Sequence, residues 1–390
     1  MSDPIRVPIR VGIVGAGFIG PVHIESLRRL GYVEVVAVAA STQASAERKA
    51  AALSVPRAYG DYRDLVRDAE IDVVHIAASN VHHYPAARAA LLAGKHVVCE
   101  KPLAMTSAES AELVRLAEES GLVNAVTFNV RFYPVLQHAR ALIRRGELGS
   151  VFLVHGGYRQ DWLLLPTDYN WRVDAAEGGA LRAIGDIGSH WLDLAQFLTG
   201  LPVRGVLADL ITAIPVRYKP ARAVETFATA EVARVPQPVE TEDAAGVLLR
   251  FGDTARGMMM VSQISAGRKN QLVLEVNGDR GSLAWDGEHP NELWIGHRDR
   301  PNEVLIKDPA LLDVTARPYA RYPAGHAEGF ADSHTAINRT IYEYILAGGR
   351  RTGRPPDFPT FLDGHRENII ADCILQSARE GRWVAVPRIV

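Results

Sequence analysis

Gly15-Ala16-Gly17-Phe18-Ile19-Gly20 follows the apolar run 11–14 and opens a stretch of helical spacing. Glycines at these three positions, between a strand and a helix, leave few folds open to the chain. Gly15 permits a tight turn, Gly17 lets a ligand reach the backbone, and Gly20 lets the helix pack closely on the sheet. Phosphates then sit at a helix N-terminus, where free N–H groups and the dipole favour negative charge. The alternation continues. Segments 11–14, 33–39, 73–77, 96–99 and 124–128 read as strands, with helices at 19–30, 45–53, 84–93 and 107–120 between them. Gly31, Gly94 and Gly121 sit where helix caps are expected. This is the pattern of a parallel, doubly wound sheet.

After Phe128 the pattern changes. A helix is expected at 134–145, a strand at 151–156 and a second helix near 188–198. From about Val206 strands follow one another, joined by turn signals at Phe251-Gly252-Asp253, Asn277-Gly278-Asp279 and Asp286-Gly287, with a clear strand at 271–276. Helices near 327–346 and 360–380 should cover that sheet or return to the first domain. The proline- and charge-rich stretch 214–242 reads as an exposed excursion. The expected fold class is α/β, with a dinucleotide-binding Rossmann domain over 1–124 and an α/β domain with a large open, mostly antiparallel sheet over 125–390.

The chain has 390 residues, 47% hydrophobic and 23% charged, enough for two substantial cores. A net charge of −2 without basic tracts argues against nucleic acid or membrane as partner and for a small molecule. Residues 1–10 lack a signal-peptide pattern and no apolar stretch approaches ~20 residues, so a cytoplasmic location is expected. Cys99 and Cys373, far apart in apolar segments, read as buried free thiols.

Glu100-Lys101-Pro102 follows the strand 96–99, so Lys101 should project from the carboxyl end of a parallel strand, the edge where ligands bind. A lysine there can donate to a hydroxyl and favour its ionised form. Asp186 and His190 are four residues apart and share a helix face. Asp186 could instead be an N-cap, and His190 a satisfied core histidine. Together with Lys101 they can position an alcohol and move its proton. The second strand ends in Ala39-Ala40-Ser41-Thr42, without the acid that would accept ribose hydroxyls of NAD. Ser41 and Thr42 with Arg48, or Lys49, could instead hold a 2′-phosphate, so the cofactor expected is NAD(P)(H) with a slight lean to NADP. Arg48 as a solvated helix residue is the alternative. Gln160, Trp162, Trp171 and Arg172 mix aromatic faces with polar groups, as sugar binding requires, and could equally be core and surface residues. Tyr133 and His326 are further substrate-binding candidates. His82-His83 has no third ligand at useful spacing, so no metal is expected.

The three motifs, in this order and with this change of pattern, resemble the glucose–fructose oxidoreductase and inositol dehydrogenase (Gfo/Idh/MocA) family over essentially the whole chain. The stretch around Trp162 is similar to that of members acting on pyranosides and anhydrosugars such as levoglucosan. The resemblance implies Lys101, Asp186 and His190 as catalytic residues. It places Ser79, Asn80 and His83 beside the nicotinamide, with Phe18, Ile19, Glu100 and Asn129 also on the cofactor, and Arg131, in the stretch leading to the substrate domain, as a substrate-binding residue. It further implies homodimers or homotetramers built through the large sheet. The expected activity is NAD(P)-dependent oxidation of a secondary hydroxyl of a sugar, glycoside, anhydrosugar or cyclic polyol, or its reverse. Alternatives are an NAD-dependent glycosidase with transient sugar oxidation and a non-catalytic sugar or dinucleotide sensor on the same fold.

Overall fold

The computed structural model describes residues 7–221 and 233–388. Its first half alternates β1 (Ile9–Val14), α1 (Ile19–Arg28), β2 (Val33–Ala39), α2 (Gln43–Ala52), β3 (Arg57–Tyr59), α3 (Tyr62–Arg67), β4 (Val73–Ile76), α4 (His83–Leu92), β5 (His96–Cys99), α5 (Ser107–Ser120) and β6 (Asn124–Val126). The six strands form a parallel sheet in the order β3-β2-β1-β4-β5-β6. Strands buried on both faces explain the unbroken Val/Ile runs. The elements β3 and α3 escape the sequence reading because three and six residues are too short for either periodicity to register. Helix α2 begins two residues before its expected start because Thr42 caps it, accepting the Ser45 N–H at 3.2 Å.

The second half contains α6 (Pro134–Arg144), β7 (Val151–Arg159), the short α7 (Ala175–Gly178), α8 (Ser189–Thr199), β8 (Val203–Ile211), β9 (Val216–Pro220), β10 (Arg234–Pro238), β11 (Ala244–Phe251), β12 (Ala255–Ser262), β13 (Gln271–Gly278), β14 (Ser282–Asp286), β15 (Glu292–Gly296), β16 (Glu303–Ile306), α9 (Phe330–Leu346), α10 (Phe361–Glu380) and β17 (Val384–Ala385). Nine of these strands form one sheet, β16-β15-β14-β13-β7-β12-β11-β8-β17, antiparallel except where β7 meets β12. Strand β7 runs three residues past its expected end. Gly156 and Gly157 look like a stop in sequence, yet a Cβ at either would lie 2.0 Å from a neighbouring strand's carbonyl oxygen, so they are what lets the strands close up. The excursion expected at 214–242 contains the hairpin β9-β10, and its part at 222–232 lies outside the described residues, as do 1–6 of the N-terminal segment.

One face of the large sheet is packed by α6, α8 and α10, with Trp191 Nε1 donating to Val273 O at 2.9 Å. Helix α9 returns to the first sheet, where Ile337, Ile341, Tyr342 and Ile345 pack in one core with Ile24 and Leu27 of α1. Both cysteines are buried and free. Among the described residues no helix is long and apolar enough to cross a membrane.

Candidate active site

The turn after β1 is shaped by its glycines. Gly15 has φ +90°, in the left-handed region, and a Cβ there would lie 2.6 Å from the Ala78 backbone. At Gly20 a Cβ would meet Gly15 O at 2.5 Å, so only glycine lets α1 start this close to the turn. At Gly17 a Cβ would meet nothing within 4 Å; the glycine there keeps open space above the N-terminus of α1. That is the cradle a pyrophosphate needs. It lies where β1 and β4 are neighbours and the strand order reverses, the position at which open α/β sheets bind ligands.

A cleft of about 370 Å³ runs from this turn to the end of the large sheet. Strand β5 delivers Lys101 to its floor, where Nζ donates to both Asp186 Oδ1 and Asp186 O at 2.8 Å. Arg172 Nε donates to the same Oδ1 at 3.1 Å, and Gln263 Nε2 to Oδ2 at 2.9 Å. Burial alone would raise the Asp186 pKa, but Arg172 and Lys101 outweigh it and hold the carboxyl well below the usual range. Asp186 sits in a π turn, Ile184–Gly188, that runs straight into α8, and it caps no helix N–H. Such turns bulge a helix and re-aim its side chains. The geometry keeps Asp186 and His190 on the same side. His190 is buried, and its Nδ1 has no hydrogen-bond partner among the described residues, so it is not a satisfied core histidine. Burial, then the neighbouring Lys101, pushes its pKa down to about 3, so the ring is neutral at physiological pH.

The cleft also gathers Phe18, Ile19, Asn80, His83, Glu100, Asn129, Gln160, Trp162, Trp171 and Arg172, as expected from the sequence. The His83 ring is held between Pro102 O (2.7 Å) and Ala78 O (3.1 Å). Glu100 Oε1 lies 2.9 Å from His23 Nε2; burial opposes its ionisation, but the His23 ring keeps its pKa at about 2. Asn80 Nδ2 donates to Gly178 O at 2.8 Å, and Ser79 Oγ to Glu177 at 3.0 Å, tying this loop to α7. Arg172 stacks on Trp171, 4.3 Å from the ring centre. Ser41, just before α2, and Arg48, midway along it, are exposed, whereas Lys49 is engaged, donating to Ala16 O at 2.7 Å.

Three expected substrate contacts do not reach the cleft. Arg131 is largely covered by ion pairs with Asp193, at 2.8 Å from Nε, and with Asp363, joining the segment after β6 to α8 and α10. Tyr133 packs in the core of the large sheet, 5.3 Å from the Trp285 ring. His326 is exposed, its backbone carbonyl accepting from the buried Lys307 at 2.8 Å. The sequence reading in turn missed Gln263, Lys269, Asn270, Phe330 and His334. Gln263 follows β12 and lies against Asp186, and the other four border the cleft. No motif marks them. Asn270 Oδ1 accepts from Tyr158 OH at 2.6 Å and from Gln160 Nε2 at 2.8 Å, and Gln160 Oε1 accepts from Trp162 Nε1 at 2.9 Å, a net that sets the wall of the cleft.

Comparison with known proteins accords with this geometry. The model of an oxidoreductase family with an NAD-binding Rossmann fold matches residues 9–128, and that of the GFO/IDH/MocA C-terminal domain matches residues 136–284. Levoglucosan dehydrogenase of Pseudarthrobacter phenanthrenivorans is 30% identical over 98% of this chain and 99% of its own length. The chain belongs to the Gfo/Idh/MocA oxidoreductase family. Among solved Gfo/Idh/MocA-like structures, levoglucosan dehydrogenase in complex with NADH and L-sorbose superposes with a TM-score of 0.87 at 28% identity, covering 98% of this chain and 99% of that one. An inositol dehydrogenase homologue from Azotobacter vinelandii, complexed with NAD+, gives a TM-score of 0.87 at 29% identity over 99% and 100% of the two chains.

Proposed function

We propose that this chain oxidises a secondary hydroxyl of a sugar, glycoside, anhydrosugar or cyclic polyol to a ketone, and catalyses the reverse, with a nicotinamide dinucleotide. The observation that carries this reading is the single cleft in which the phosphate turn, Lys101, Asp186 and His190 face Trp162 and Trp171. The relatives' names, levoglucosan and inositol dehydrogenase, support a cyclic, hydroxyl-rich substrate. Gly15, Gly17, Gly20, Phe18, Ile19, Asn80, His83 and Asn129 would hold the dinucleotide, which when bound supplies the hydride acceptor. Lys101 donates to the reacting oxygen and favours its ionised form. His190, neutral and lining the cleft, takes the hydroxyl proton. Asp186 is no base in this scheme: both its oxygens already accept hydrogen bonds, so it aims Lys101 and Arg172. The two tryptophans offer faces for the C–H surface of a ring, and Gln160 and Asn270 offer polar groups for its hydroxyls. Residues 1–124 would form most of the dinucleotide site and 125–390 most of the substrate site, with Lys101 and Asn129 crossing that division and α9 reaching back to the first part.

The absence of an acid after β2, with Ser41 and Arg48 exposed, supports a slight preference for NADP over NAD. Arg48→Ala is expected to raise the KM for NADP about three- to tenfold, the worth of one exposed charge-assisted contact, and to leave the KM for NAD nearly unchanged. The test of the function is initial-rate formation of reduced nicotinamide, with NAD and NADP separately, against inositols, free sugars, methyl glycosides and anhydrosugars. Net reduction with one substrate group is expected. Tight dinucleotide binding without net reduction on any substrate would overturn the dehydrogenase reading in favour of a self-recycling glycosidase or a sensor.

A further inference from the structure

One imidazole in the cleft has no part in the scheme above. His334 stands on α9, which packs on α1 and so brings a side chain from the C-terminal half of the sequence beside the phosphate turn. It is 2% exposed and borders the cleft next to Glu100, Lys101 and Asn129. The Phe330 ring, edge-on at 4.6 Å, and the His23 ring, at 5.8 Å, hold its plane. Its Nδ1 is shut off from water and has no hydrogen-bond partner among the described residues. His23, the nearest imidazole, cannot supply one, since its two nitrogens are taken by Glu100 and His75, each at 2.9 Å.

Protein atoms close off Nδ1, so Nε2, which makes no hydrogen bond among the described residues, is the ring nitrogen left to meet a ligand in the cleft. Burial, with His23 and Lys101 nearby, pushes the His334 pKa down to about 3. The unprotonated nitrogen of a neutral imidazole accepts one hydrogen bond, which a primary carboxamide can give from its N–H and a methyl ketone cannot. Asn129 borders the same part of the cleft, and its Nδ2 donates to Ser333 Oγ at 2.8 Å, linking it to the residue before His334.

Resting on the reading of this cleft as a nicotinamide site, we propose that His334 hydrogen-bonds the nicotinamide carboxamide and so sets which face of the ring is turned to the substrate. The experiment is a fluorescence binding titration of the full chain with the reduced dinucleotide, with the matching ADP-ribose, which lacks nicotinamide, and with the 3-acetylpyridine analogue, in which a methyl ketone replaces the amide. His334→Phe keeps the aromatic volume and removes the polar atoms; His334→Asn keeps a donor and an acceptor.

His334→Phe is expected to weaken the dinucleotide roughly three- to tenfold, as for one neutral hydrogen bond, leave ADP-ribose unchanged and abolish the preference for carboxamide over ketone. His334→Asn should restore part of that preference. Unchanged dinucleotide binding in His334→Phe, or a parallel loss of ADP-ribose, would reduce His334 to packing and overturn the proposal. Should that variant not fold, wild-type protein binding the acetylpyridine analogue as tightly as the natural dinucleotide overturns it equally. Wild-type protein that binds neither dinucleotide nor ADP-ribose would remove the cofactor reading itself, and the proposal with it.

Discussion

Asp186 decides the chemistry of its neighbours by being fully engaged. With Lys101, Arg172 and Gln263 on its carboxylate, it stays ionised and leaves His190 as the free acceptor. His190→Asn or Lys101→Met is therefore expected to lower kcat by ~10²–10⁴-fold while the dissociation constant for the reduced dinucleotide moves by less than about threefold, read by steady-state kinetics beside binding titration. Losses of binding as large as those of turnover would show that these residues hold the cofactor instead. The buried histidines also set a pH dependence. His190 and His334 stay neutral in the folded chain down to about pH 3, whereas unfolded histidines take up protons below about 6.5. Their contribution to stability is thus complete above about pH 6.5 and falls as pH drops toward 3, by about 1.4 kcal/mol per pH unit for each ring once the unfolded form is protonated. Urea midpoints at pH 7 and pH 5 check this, and His334→Phe should flatten the difference.

At the scale of elements, the strand–turn–helix unit around Gly15 separates two uses of glycine. Gly20 serves the fold, since a Cβ there strikes backbone; Gly17 serves the ligand, since a Cβ there strikes nothing in the protein. Gly20→Ala is expected to destabilise the chain by about 1–3 kcal/mol, as overpacking does. Gly17→Ala should keep the wild-type Tm and lose dinucleotide affinity by tenfold or more, because the methyl group fills the pyrophosphate cradle. Thermal melts and the binding titration on both variants separate the two cases. The π turn before α8 is the other element with a chemical consequence, since it lets Asp186 meet Lys101 while His190 remains in the cleft.

For the whole molecule, the unpacked face of the nine-stranded sheet is the outstanding feature. Leu153, Leu248, Met258 and Met260 are about half exposed (48%, 44%, 57% and 53%), and the strand register puts Leu248 and His155 on either side of Met258. An apolar patch on a sheet face marks an interaction surface. A homodimer through this face is the expected assembly. Met258→Glu should shift the chain from dimer to monomer in sedimentation or size-exclusion light scattering, with dinucleotide binding retained. A wild-type protein that is monomeric at micromolar concentration would contradict it.

How much of this could be read without coordinates follows from what is local. The glycine turn, the alternation of strands and helices, Lys101 at the end of β5 and the Asp186/His190 pair each rest on residues within a few positions of one another, and a one-dimensional pattern carries them. Arg131 and Tyr133 lie away from the cleft, against partners, Asp193, Asp363 and Trp285, that are 62 or more residues away, and only packing reveals that these side chains are already engaged. Gln263, Asn270 and His334 were invisible for the converse reason. They lie just past a strand, just before one and on a late helix; Gln263 meets Asp186, and Asn270 and His334 border the cleft, only through long-range packing such as that of α9 on α1. Local spacing determined the cofactor turn and the reactive pair; burial and long-range contact decided which polar side chains stay free to meet a ligand.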